Sequence, residues 1–69
     1  MKNVKPMITL KNLRKEKGLK QKELAEKVGI NWQALSSYEQ GYRRPDLVTL
    51  YNLSVALECR MDDLVADLL

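Results

Sequence analysis

The sequence predicts an all-α fold of five short helices, and three observations carry that prediction. Apolar residues recur at the three- and four-residue spacing that lines one face of a helix: Leu10 with Leu13, Leu24 with Val28, Leu35 with Tyr38, and Leu50 with Leu53 and Leu57. Between these stretches stand residues that stop one helix and start the next: Gly18, Gly29 with Asn31, and Gly41 followed by Pro45 and Asp46. The length of 69 residues leaves room for one domain only. A chain this short buries about 60% of its unfolded surface, so it needs efficient helices or a partner.

Residues 1–8, with Lys2, Lys5 and Pro6 and no period, read as a basic N-terminal arm, and residues 9–69 as the domain. The first helix begins between Met7 and Leu10 with Thr9 as its cap, turns Leu10 and Leu13 inward and runs to Lys17. Gly18 ends it, and Leu19 plugs the corner. The second helix opens at Gln21, with Leu24, Ala25 and Val28 on one face and Lys22, Glu23, Glu26 and Lys27 on the other. Gly29 is the residue best able to take the left-handed conformation that closes it, and Asn31 caps a third helix from about Trp32 to Gln40. A helix of about two turns, a sharp corner and a second helix make a helix-turn-helix. Ala25 is the small residue that lets the two approach.

Pro45 keeps Arg44 out of helical geometry, and Asp46 caps a fourth helix, Leu47 to about Leu57. This helix has two apolar stripes. Leu47, Leu50, Leu53, Ser54 and Leu57 are expected to face the core, with Val48, Tyr51 and Val55 more than 90° away at about 100° per residue. The last helix, Met61 to about Leu69, turns Met61 and Leu64 inward and leaves Val65, Leu68 and Leu69 outside. Together Val48, Tyr51, Val55, Val65, Leu68 and Leu69 make an apolar patch, read as a homodimer interface.

The net charge of +3 hides a strong asymmetry. Residues 1–30 hold nine Lys or Arg against Glu16, Glu23 and Glu26, whereas residues 46–69 hold Arg60 against five acids. One end of the resulting field attracts a polyanion, and the helix-turn-helix lies in that end. With no His, no metal-ligand cluster, no Gly-rich phosphate loop and no nucleophile beside a base, an enzyme is the poorest reading, and no cofactor, metal or small-molecule ligand is expected. The single Cys59 cannot form an internal disulfide. Nothing resembles a secretory signal or an apolar span of about 20 residues, so a reducing cytoplasm and no membrane partner are expected.

The runs LRKEKGLKQKELAEKVGI, NWQALSSYEQG and RRPDLVTLYNLSVAL resemble the phage repressor and Cro type helix-turn-helix family of bacterial DNA-binding regulators. Arg14, Gly18-Leu19, Gln21, Glu23-Leu24-Ala25, Gly29-Ile30, Leu35, Glu39, Gly41, Pro45 and the stretch Leu50 to Leu57 carry the likeness, which covers residues 8–66. It implies a compact five-helix lambda-repressor-like DNA-binding domain, and a transcriptional repressor that docks its third helix in the major groove as a homodimer. Its partner would be double-stranded DNA bearing a palindromic operator, with two recognition helices about 34 Å apart. The likeness also implies a structural ion pair between Arg14 and Glu39. The chain departs from the family at Lys20, where Thr or Ser usually caps the second helix, at a cost of about 1 kcal/mol, partly offset by Glu23 in the first turn. It departs again at Ser54, in place of alanine, and at Glu58 and Arg60, in place of a glycine and a capping serine.

On this reading Trp32, Gln33, Ser36 and Ser37 face the bases. Gln33 is the strongest reader, because a carboxamide pairs bidentately with the N6/N7 edge of adenine. The Trp32 indole has three placements open to it: on a thymine methyl or sugar, over Gln33, or against the second helix. Lys20, Gln21, Asn31, Tyr42, Arg43 and Arg44 are the phosphate contacts, Gln21 donating from its amide to phosphate while its carbonyl braces the third helix. The rival reading is an antitoxin or other protein-interaction module, with the apolar stripes as its contact surface.

Overall fold

The structure, a computed structural model, describes residues 9–68, and among them the chain forms five α-helices and no strand. These are α1 (Leu10–Glu16), α2 (Gln21–Val28), α3 (Trp32–Gln40), α4 (Leu47–Leu57) and α5 (Met61–Leu68). The expected arm and Leu69 lie outside the described residues.

Three helices start on a side-chain cap. Thr9 Oγ1 accepts from the Asn12 amide at 3.0 Å, Asn31 Oδ1 from Ala34 at 2.7 Å and Asp46 Oδ1 from Thr49 at 2.8 Å. Hydrogen bonds from Thr49, the backbone one foremost, hold the Asp46 carboxyl below its ordinary value. At α2 the lysine of position 20 has no acceptor to offer, and instead its own backbone N–H donates to Glu23 Oε1 at 2.7 Å.

All four connections close in one way: an amide two residues past the helix, or three past α1, returns to a carbonyl five positions earlier. Leu19 reaches Arg14, Ile30 reaches Ala25, Tyr42 reaches Ser37 and Cys59 reaches Ser54, at 2.9 to 3.2 Å. The residue between must be left-handed. Glycine fills that position three times, but the fourth is Glu58, with φ of 54°. An L side chain resists this conformation. Glu58 accepts a hydrogen bond from Lys17 Nζ at 2.7 Å, which draws its carboxyl below the usual range, but both groups are exposed and such a pair adds little. Glu58→Gly should therefore raise Tm by a few degrees despite losing the ion pair, as a thermal melt at neutral pH would register.

The core is a leucine cluster. Leu10, Leu24, Leu35, Leu50, Leu53, Leu57 and Leu64 are fully buried, with Ala25, Ala34, Tyr38 and Leu68 around them. α2 packs on α3 and α4, α5 on α4, and α1 against α3 and α5. Two sequence expectations are corrected here. Leu47, assigned to the core row, is 71% exposed: as the first residue of α4 it stands one turn ahead of the covered part of that row. Leu68, assigned to the outer patch, is buried, because it lies four residues beyond Leu64 on the same face of α5. Ser54 is buried and its hydroxyl donates to the Tyr51 carbonyl at 2.6 Å, the bond back to its own helix that makes serine acceptable there. Burial, and then the nearby Asp63 carboxylate, push the Cys59 thiol up, which keeps it protonated at neutral pH.

An unforeseen contact ties the first helix to the last. Asp67 Oδ2 accepts from the Leu10 backbone amide at 2.8 Å, so α5 satisfies a free donor at the start of α1. Among the described residues no helix is long and apolar enough to cross a membrane.

Candidate nucleic-acid interface

The corner at Gly29 sets α3 across α2. Ala25 and Ala34 are both buried, so no long side chain separates the two helices. What fixes the far end of α3 is polar. Arg14 Nε donates to Glu39 Oε2 at 2.7 Å and Arg14 Nη2 to Oε1 at 3.2 Å, while Nη1 reaches the Leu19 carbonyl at 2.9 Å. The two side chains are only 9% and 3% exposed. A two-point guanidinium to carboxylate contact fixes angle as well as distance. The pair thus joins the end of α1, the turn before α2 and the last turn of α3.

Gln21 completes this network in a way opposite to the expected one. Its amide nitrogen, not its carbonyl, braces α3, donating to Glu39 Oε1 at 3.0 Å. The reason is chemical: a carboxylate only accepts, so the carboxamide must present its N–H side. Its carbonyl has nothing to offer an anion, which leaves the second amide hydrogen and the backbone at the start of α2 for phosphate.

The outward side of α3 divides in two. Gln33 is exposed and Trp32 is 41% exposed, whereas Ser36 and Ser37 are half-buried. The expectation that all four stand clear is corrected for the serines, which flank the buried stripe of Ala34, Leu35 and Tyr38. Ser36 is engaged further, its Oγ accepting from Gln40 Nε2 at 2.8 Å. Of the three placements open to Trp32, the structure takes the one against α2. Lys22 Nζ lies over the indole, 5.9 Å from its centroid, and Ala25, Glu26, Ile30 and Asn31 line the hollow beside it.

After Gly41 the loop carries Tyr42, 77% exposed, and the exposed Arg43 and Arg44. It is anchored at both ends. Pro45 is buried, and the Arg43 guanidinium sits over the Tyr38 ring at 5.9 Å. Lys20 is exposed at the mouth of α2. Asn31 is also exposed, but its oxygen is taken by the cap on α3, so only its amide hydrogens could meet an anion. Lys22 and Gln40, which contact Trp32 and Ser36, are not among the residues expected from the sequence. The signal for Lys22 is its place one residue past Gln21 on the polar face of α2.

Away from this surface, Val48, Tyr51 and Val55 on α4 and Val65 on α5 are exposed. They form the part of the expected apolar patch that remains once Leu68 is placed in the core.

The chain matches the helix-turn-helix family over residues 10–64. It is 45% identical over 56 residues to YqaE of Bacillus subtilis (strain 168), an uncharacterized HTH-type transcriptional regulator, in a match covering 81% of this chain and 48% of that protein. It is 51% identical over 45 residues to the HTH-type transcriptional regulator ImmR of the same organism, covering 65% of this chain and 35% of ImmR. The chain thus spans about half the length of YqaE and about a third of ImmR. Among solved structures its fold is similar to the restriction-modification controller protein C.AhdI from Aeromonas hydrophila. That match has a TM-score of 0.74 at 33% identity and covers 78% of this chain and 82% of the other. With the corner, the ion-paired α3 and four of the five helices in full inside the matched residues, the chain belongs to the helix-turn-helix family of DNA-binding transcriptional regulators.

Proposed function

We propose that the chain is a sequence-specific transcriptional repressor that binds double-stranded DNA as a homodimer, with α3 in the major groove. The observation that carries this reading is the juxtaposition of an exposed Gln33, on the first turn of α3, with exposed cations on both sides: Lys20 at the mouth of α2, and Arg43 and Arg44 in the loop after α3. The cations hold the domain on phosphates and set its register, and Gln33 reads an adenine edge. Trp32 adds an apolar contact, and Ser36 and Ser37 contribute less because they are half-buried. Occupying an operator is enough to block a promoter, which makes repression the simplest outcome. The work is done where the chromosome lies, in the cytoplasm.

An electrophoretic shift on the promoter of its own operon tests this. Gln33→Ala should weaken the specific complex by roughly tenfold or more, from the 1–3 kcal/mol of a bidentate base contact, and leave binding to random duplex unchanged. Arg43→Ala should weaken both alike. If neither substitution alters the shift, the surface does not bind DNA.

A second copy of the chain covers Val48, Tyr51, Val55 and Val65. An isologous pair sets two α3 helices about 34 Å apart, matched to a palindromic operator. Sedimentation at micromolar concentration should show a dimer, and a monomer both with and without DNA would remove this element.

A further inference from the structure

Trp32 is the only tryptophan in the chain and stands at the first position of α3, where the Asn31 cap fixes its backbone and leaves its two side-chain torsions to be decided by neighbours. The neighbour that decides is Lys22, whose ammonium lies 5.9 Å from the ring centroid. None of the ion pairs among the described residues uses Lys22. Glu26, one turn further along α2, borders the same hollow and is the obvious rival for that ammonium. However, an acid placed C-terminal to a lysine is the weaker orientation on a helix. The ring offers the ammonium a face that Glu26 does not displace.

We infer that Lys22 is a positioning residue for Trp32: it holds the indole back against α2, keeps Gln33 open to its base, and thereby sets the preference at the neighbouring base pair. Without the ammonium, the indole of an exposed first-turn residue is free to swing across Gln33. The inference rests on the DNA-binding reading above and adds to it a residue that never needs to touch a base.

Two measurements test it. On free protein, acrylamide quenching of Trp32 emission should rise about twofold in Lys22→Gln, which keeps a polar chain without the charge, and return to the wild-type value in Lys22→Arg, because a guanidinium also sits on an aromatic face. Lys22 is exposed, so neither variant threatens the fold. In selection from a random duplex pool, Lys22→Gln should relax by about threefold the same base pair that Trp32→Ala relaxes, and Lys22→Arg should keep it. Equal quenching in all three proteins overturns the inference. So does failure of arginine to rescue, or a uniform loss across all sequences, the mark of a phosphate contact alone. A wild-type chain that enriches no duplex while the quenching contrast persists overturns the DNA-binding reading, and the base preference with it, but not the hold on the indole.

Discussion

Removing either member of the Arg14 and Glu39 pair is expected to cost about 3 kcal/mol of stability. In Glu39→Ala a guanidinium stays buried with only the Leu19 carbonyl to satisfy it; in Arg14→Met a carboxylate stays buried with only the Gln21 amide. Both parent side chains are more than nine-tenths covered, so water does not screen the loss. A domain of this size holds roughly 3–10 kcal/mol in total, and each single variant should therefore show a large fall in urea midpoint. Replacing both residues, Arg14→Met with Glu39→Leu, should recover much of the loss, since apolar pairs of similar volume replace buried ion pairs at little cost. DNA affinity should not recover with it, because Gln21 then has no anchor and α3 loses the contact that fixes its last turn. Equal losses in single and double variants would show that the pair adds stability outright and does not mainly offset its own burial.

The largest expected effect on binding is that of salt. In the proposed dimer on DNA, Lys20, Arg43 and Arg44 of two subunits would place six cations on phosphate, and affinity should fall roughly a thousandfold between 50 and 200 mM salt, with a log-log slope near −5. Arg43→Ala removes one cation from each subunit and should flatten the slope by about 2. Titration by fluorescence anisotropy at four salt concentrations gives both numbers. A slope near half the wild-type expectation would mean a single subunit on DNA, and a flat line would exclude a phosphate-bound complex.

Helix boundaries could be read from the chain because they rest on local chemistry: Thr9, Asn31 and Asp46 at starts and Gly18, Gly29 and Gly41 at ends act within one turn. What depended on neighbours was not readable. Leu47 and Leu68 lie at helix ends, where spacing gives the angle but not whether anything covers it. The orientation of the Gln21 carboxamide follows from Glu39 being eighteen residues away in sequence, and the Trp32 placement follows from Lys22 on another helix. Arg14 with Glu39 was anticipated through likeness to a known family, since no spacing rule links positions 25 apart.

The Asp67 bond to Leu10 makes the order of synthesis matter. The first helix leaves the ribosome with its Leu10 amide lacking this acceptor, which is made more than fifty codons later. Nascent chains stopped before Asp67 should accordingly stay protease-sensitive at their N-terminal end, and acquire resistance there only once the closing turn has emerged.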